Sequence, residues 1–304
     1  MSVAAATTTV RTRRGGLRDR SGPLFAAPVV VLAAVFLVLP MVLAFVYAFA
    51  EIAPLSGAVT WVGLQNFATM LADPAFARSV LNTGLFTAVT VPGSMVIGLA
   101  LAVLLNSVMP ARQLFRTVVY LPLVISGVAV GLIGTLLFNE TTGVLRALSL
   151  QLGLPVVPWQ SEGPAAFTSV VLITLWIRVG FTMIIYLAGL QAVPAEMYES
   201  AQVEGASRWQ RFTNITVPLL APATFFLLIM NVIYSFQVFD TVFVLTGGGP
   251  GRSTEVLGTY AYDTAFGPAR NQGYGSAIGV VIFVITLVFT ALQWRLNRSR
   301  DGES

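Results

Sequence analysis

Six apolar stretches, each long enough to cross a bilayer, constrain this chain more than anything else in it: Leu24–Ala50, Gly84–Leu105, Val118–Phe138, Phe167–Leu187, Leu219–Phe239 and Gly275–Trp294. A spanning helix needs about 20 residues that are predominantly apolar. From the Asp, Glu and Arg set, only Arg178 falls inside any of the six. The predicted fold is therefore all-α, a polytopic membrane protein of about six transmembrane helices. Composition agrees: 10% of the 304 residues are charged and 56% hydrophobic, against about 25% charged in an ordinary soluble domain. A soluble chain this apolar would expose large patches and aggregate.

The first stretch follows Arg11, Arg13, Arg14, Arg18 and Arg20 and so has the layout of a secretory signal. A signal core is about 7–15 residues long, whereas Leu24–Ala50 has 27, interrupted only by Pro28 and Pro40. An uncleaved anchor is expected. Arginine placement then predicts orientation. With the N-terminus in the cytoplasm, that side holds the five N-terminal arginines, Arg112, Arg116, Arg208, Arg211, Arg295, Arg298 and Arg300. The other side holds Arg78, Arg146, Arg252 and Arg270. Both termini are expected in the cytoplasm, in a bacterial inner membrane. Residues 1–22 read as a disordered basic tail, 23–298 as the transmembrane domain and 299–304 as a second tail. No aromatic residue interleaves the basic tail to stack on bases, so no nucleic-acid partner is expected. Net charge +4 follows from topology.

Missing residue types exclude several chemistries. There is no His and no Cys, and all 17 basic residues are Arg. This removes a Ser-His-Asp triad, a thiolate nucleophile and an ordinary zinc site. Without Lys there is no P-loop, whose Lys reaches the nucleotide phosphates. The chain is thus expected to bind no metal or cofactor and to perform no catalysis of its own.

The segment 194–218 between the fourth and fifth stretches carries the most local information. Pro194 is expected at the first helical position, with Glu196 and Glu199 in the early turns. Gly205 should break that helix and Ser207 cap a second one through Trp209 and Phe212. Pro218 should stand where the next membrane helix begins. The result is a helix–turn–helix elbow at the membrane surface. A plainer alternative is an interfacial loop held at the headgroups by Trp209 and Phe212.

Residues Glu199-Ser200-Ala201, Gly205, Ile215 and Val217-Pro218 resemble the EAA signature of binding-protein-dependent ABC importer permeases, departing from it conservatively with Ser in place of the middle Ala and Val in place of Leu. The likeness extends to Gly63-Leu64-Gln65-Asn66-Phe67, Asn82-Thr83, Phe115-Arg116-Thr117, Leu121-Pro122, Gln237-Val238-Phe239-Asp240, Leu245 to Pro250 and Tyr274 to Ala277, which look like the sugar-type branch. The resemblance implies a permease subunit that imports a sugar, polyol or glycerophosphate-type solute. It implies two ATPase subunits that bind ATP and Mg, a second related permease and an extracytoplasmic solute-binding protein. It makes the elbow the coupling helix, with Glu199 in polar contact with the ATPase and Gly205 forming the turn.

Within the fifth stretch, Asn231, Tyr234 and Gln237 fall at i, i+3 and i+6, drifting only about 60° per step round a helix. They form a polar stripe that Asp240 continues. Neutral donors and acceptors with an aromatic face suit a hydroxyl-rich solute; the alternative is hydrogen bonding between helices. Arg178 is costly in a span and should face protein or water, either reading an anionic group or tethering neighbouring helix carbonyls. An ion-coupled secondary transporter would place acids or His within its spans, and none is present. A membrane-embedded enzyme would need convergent catalytic groups, whereas Glu196, Glu199 and Glu204 have no His or Lys partner. A scaffold or channel subunit would not need the elbow.

Overall fold

A computed structural model describes residues 21–54, 56–107 and 110–301. The basic tail expected at 1–22 therefore lies outside the described residues up to position 20, as do 302–304 of the second tail. The chain divides at Leu43/Ala44 into two compact units. The first contains most of helix α1 (21–47), which is α-helical except for a π-helical turn at Ala34–Val38.

After α1 the chain forms a short antiparallel hairpin, β1 (Ala50–Ile52) and β2 (Val59–Trp61), with Ala50 opposite Trp61. The rest is helical, as the all-α expectation has it, and the hairpin shortens the first expected span, since Ala50 is already a strand residue. Asn66, in α2 (Gln65–Ala72), fastens the hairpin by donating its amide to the carbonyls of Ala48 at 2.9 Å and Ala50 at 3.0 Å.

Helix α3 (Pro74–Asn106) begins where Asp73 accepts from the Ala75 N–H at 2.9 Å and Pro74 takes the first turn, both strong start signals. Its buried positions are mostly small or polar: Ser79, Asn82, Thr83, Thr90, Ser94, Gly98 and Ala102. Leu81, Leu85, Val89 and Val96 stand exposed. That inversion is what a lipid-facing helix requires, because close packing between membrane helices favours small residues. The main partner of α3 is α7 (Gly163–Gln191). At Gly98 a Cβ would lie 2.6 Å from Thr182 Cγ2, so the helices meet there only because the glycine has no side chain.

Two expected spans are not single helices. The third, Val118–Phe138, is broken into α4 (Arg112–Val124) and α5 (Gly127–Leu137), inclined at 104°. Pro122 weakens the end of α4, Ile125 is extended, and Ser126 caps a fresh helix by accepting from Ala129 N–H at 3.3 Å. The fifth, Leu219–Phe239, is a bend of 63° between α9 (Arg208–Leu219) and α10 (Ala221–Phe236), with α8 (Ala195–Val203) preceding the pair. Among the described residues four helices are individually long and apolar enough to cross a membrane, and up to six spans result if each bent pair is one.

The outer connections expected at Glu51–Thr83, Asn139–Ala166 and Asp240–Tyr274 are more ordered than their turn-rich sequence suggests. Besides the hairpin and α2 they hold α6 (Val144–Gln151), α11 (Asp240–Leu245) and α12 (Leu257–Phe266). Asn82 donates to the carbonyls of Arg252 at 3.0 Å and Glu255 at 2.9 Å, and Thr83 Oγ1 accepts from Leu257 N–H at 2.9 Å. These bonds pin the glycine-rich 247–251 turn and the start of α12 against α3. The final helix, α13 (Gln272–Asp301), packs on α12 and α10.

A polar cavity and a surface elbow as the candidate functional site

The five residues expected along a solute path all line one cavity of about 360 Å³: Arg178, Asn231, Tyr234, Gln237 and Asp240. The stripe itself is not one straight helix face. Asn231 and Tyr234 lie on α10, Gln237 is its terminal cap, and Asp240 opens α11. A helix end therefore folds the polar run around the cavity instead of extending it along the membrane. Thr90 from α3, Thr174 from α7 and Ser235 from α10 join the lining. The Thr90 and Ser235 hydroxyls lie 3.2 Å apart in a buried hydrogen bond. Sequence reading missed these three hydroxyls; buried Thr and Ser within apolar spans were the signal that could have found them.

Arg178 is 8% exposed and donates from Nε at 3.2 Å and Nη2 at 2.9 Å to Asn231 Oδ1. Its guanidinium also lies over the Tyr234 ring, 3.9 Å from the centroid. The fork thus joins α7 to α10 through side chains, not through the helix carbonyls expected from sequence. Asn231 completes its own valence by donating to Leu227 O at 2.9 Å. A buried charge needs such partners.

At the far end of α7 the chain makes the elbow. Pro194 is the N-cap of α8, one position earlier than expected. Helix α8 ends in a Schellman turn: Gly205 has φ +83°, Ala206 N–H donates to Ala201 O at 2.9 Å and Gly205 N–H to Gln202 O at 3.1 Å. Ser207 then forms a capping box with Gln210, with bonds of 3.2 and 2.8 Å. Two side-chain bonds tie the arms together: Tyr198 with Thr216 at 3.0 Å, and Arg211 to Gln202 at 3.2 Å. Glu199, Ser200 and Gly205 are exposed at the corner, and Ala201 and Ile215 are half-buried. Pro218 is exposed two residues before the break at Leu220, so it belongs to the elbow arm and not to the start of α10.

The opposite end of the molecule holds a cluster that sequence did not assign. Asp73 accepts from the hydroxyls of Tyr260 and of Tyr274, the latter at 2.7 Å. Burial opposes ionisation of Asp73, but these bonds and the Ala75 N–H outweigh it and hold the carboxyl below its ordinary range. Glu255 is pushed upward, chiefly by burial, despite Arg252 at 3.4 Å. Glu140 is held low by the backbone N–H of Gln160 at 2.5 Å and of Ser161 at 2.6 Å, which closes the 139–162 connection.

Comparison with known proteins bears on this geometry. Residues 94–301 match the family described as binding-protein-dependent transport system inner membrane component. Relatives include the arabinooligosaccharides transport system permease protein AraP of Bacillus subtilis, 34% identical, covering 96% of this chain and 95% of the relative. Another is the sulfoquinovosyl glycerol transport system permease protein SmoG of Agrobacterium fabrum, 34% identical over 91% and 90% of the two chains. The sn-glycerol-3-phosphate transport system permease protein UgpA of the same species is 33% identical over 79% and 82%. A solved chain from a bacterial alginate ABC transporter, in complex with alginate pentasaccharide-bound periplasmic protein, superposes with TM-score 0.81 at 26% identity, covering 93% of this chain and 95% of that one. With its bent spans, surface elbow and a match over two-thirds of its length, the chain belongs to the family of inner membrane components of binding-protein-dependent transport systems, as an ABC transporter permease.

Proposed function

We propose that this permease passes a sugar, polyol or glycerophosphate-type solute, received from an extracytoplasmic binding protein, through the cavity around Tyr234. The observation that carries this reading is the convergence of Asn231, Tyr234, Gln237 and Asp240 with the hydroxyl side chains of Thr90, Thr174, Ser235 and Thr241 on one space of about 360 Å³. Hydroxyl-rich solutes need many neutral donors and acceptors and a flat face to stack on. The carbohydrate and glycerol-phosphate names of the relatives point the same way. Arg178, already engaged by Asn231 and Tyr234, positions the lining and does not read a solute anion.

Energy enters from elsewhere. With no Lys the chain has no P-loop of its own, so two partner ATPase subunits carry ATP and Mg, and a second, related permease completes the membrane unit. Both termini and the elbow lie on the cytoplasmic side of a bacterial inner membrane. The elbow meets the ATPase through Glu199, Ser200, Ala201 and Gly205, with Val203, 90% exposed, as the apolar contact. Ile215 and Pro218 carry motion along α9 to α10, and hence to the cavity wall. An element that ATP binding on a partner can bias is what a two-state transporter needs.

Uptake in cells expressing the whole transporter tests both halves. Labelled arabino-oligosaccharide, sulfoquinovosyl glycerol and sn-glycerol 3-phosphate serve as probes. Tyr234→Ala and Gln237→Ala should lower uptake of the transported probe at unchanged membrane abundance. Gly205→Val, placing a β-branched residue at φ +83°, should abolish uptake of every probe. Normal uptake in Tyr234→Ala and Gln237→Ala would refute the path; normal uptake in Gly205→Val would refute the elbow's role.

A further inference from the structure

A second cavity, about 450 Å³, lies between the elbow and the ends of two long helices. Val103, Asn106 and Ser107 come from the end of α3, Leu190 from α7, Tyr198 from α8, and Arg208, Arg211, Phe212 and Thr216 from α9. Two arginines line this space, and among the described residues no carboxylate does. Neither arginine forms an ion pair among the described residues. Arg211 spends one N–H on Gln202, and its Nε is buried without a partner. An orphaned buried donor on a cation is costly, and a planar fork of this kind matches phosphate oxygens. Asn106 and the Tyr198 hydroxyl add neutral polar groups, while Val103, Leu190 and Phe212 form an apolar wall.

The position supplies a second, separate argument. Helices α3 and α7 end at Asn106 and Gln191, where apolar spans give way to polar chain. Trp209 is 70% exposed beside the cavity, with its ring 5.7 Å from that of Phe212. Exposed Trp at the end of a span marks the headgroup layer. Phosphate chemistry, an apolar wall and headgroup depth coincide at one place.

We infer that this cavity binds the phosphate of an anionic membrane phospholipid between Arg208 and Arg211, tying the elbow to the ends of α3 and α7. The site is independent of the solute path and of which solute is carried.

Native mass spectrometry of the full chain, purified in mild detergent with the subunits that accompany it, provides the test. Phosphatidylglycerol and phosphatidylcholine would be titrated separately. One phosphatidylglycerol should bind about tenfold more tightly than phosphatidylcholine, because both phosphates can meet the guanidinium groups but the choline cation is repelled by them. Arg208→Ala/Arg211→Ala should erase that preference, weakening phosphatidylglycerol about tenfold more than phosphatidylcholine. Should the double variant fail to fold, Arg208→Ala alone, at an exposed position, should weaken phosphatidylglycerol severalfold. Retained preference in either folded variant, or equal binding of the two lipids to the unaltered protein, overturns the inference. Displacement of phosphatidylglycerol by millimolar inorganic phosphate or glycerol phosphate overturns the lipid assignment and gives the same arginines to a soluble phosphate.

Discussion

Replacing Asn231 by Leu removes the amide oxygen that accepts twice from Arg178, and the consequence can be sized from the contacts. Two bonds are lost, at 3.2 and 2.9 Å, both from a charged donor. In water-soluble proteins each would be worth about 1.5–3 kcal/mol. Between membrane helices, measured couplings average about 0.6 and reach about 1.7 kcal/mol, because helices separated in lipid find other partners. The local geometry favours the lower scale. Arg178 borders an open cavity that water can enter, and it keeps the Tyr234 face at 3.9 Å, a contact worth about 2 kcal/mol when desolvated. Asn231→Leu should therefore destabilise the protein by about 1–3 kcal/mol. In a double-mutant cycle with Arg178→Met the coupling should be about 1–2 kcal/mol, since the double variant leaves no orphaned charge. Reversible unfolding in mixed detergent micelles, with a titrated denaturing detergent, reads all four corners of the cycle. Additivity within about 0.3 kcal/mol would show that the fork does not hold α7 to α10 and would refute the positioning role given to Arg178.

Three further predictions concern packing and pH. Gly180→Ala would put a Cβ 2.5 Å from Val119 O, between α7 and α4, and should cost about 1–3 kcal/mol; Gly84→Ala, with nothing within 4 Å, should be neutral or stabilising by up to about 1 kcal/mol. Equal effects of the two in a thermal-shift assay would contradict the helix contact. The Asp73 carboxyl is held below its ordinary range in the folded chain. Its stabilising contribution is therefore present above the unfolded value of 3.8 and is lost as pH falls through the lower folded value. Asp73→Asn should flatten the acid limb of stability against pH, whereas an unchanged limb would remove Asp73 from the cluster. Glu255, shifted up, works in the opposite direction: its contribution is present at low pH and is lost as pH rises through its folded value. Glu255→Gln should thus raise stability near neutral pH.

Local rules were strong where a motif carries its own backbone chemistry. Gly205 and Ser207 encode the elbow's corner directly: the first takes a positive φ that other residues resist, and the second bonds only to its own helix start. Apolar length located the long helices for a similar reason, since burial in lipid depends on composition over some twenty residues and not on a particular partner. The sequence also brought forward the five cavity residues, because polar groups in an apolar run are expensive wherever they sit.

What it left undecided is how breaks in the spans redirect those residues. Pro122 and Ser126 are each compatible with a continuing helix or a stop, and only the packing of α5 against α11 selects the bend. There Gly131 lets Val244 approach to 2.8 Å of where a Cβ would be. Likewise Gln237 and Asp240 read as one stripe with Asn231. Tertiary contacts end α10 at Phe236, and the chain then turns both residues onto the same cavity from a different direction. The Asp73 cluster draws on Tyr260 and Tyr274, the latter 201 positions away along the chain. Composition and spacing act over one helix and so determined the unbroken long helices and the corner of the elbow by themselves. Contacts between helices act across the whole chain, and the cavity, its Arg178 fork and the Asp73 cluster exist only once the helices have packed.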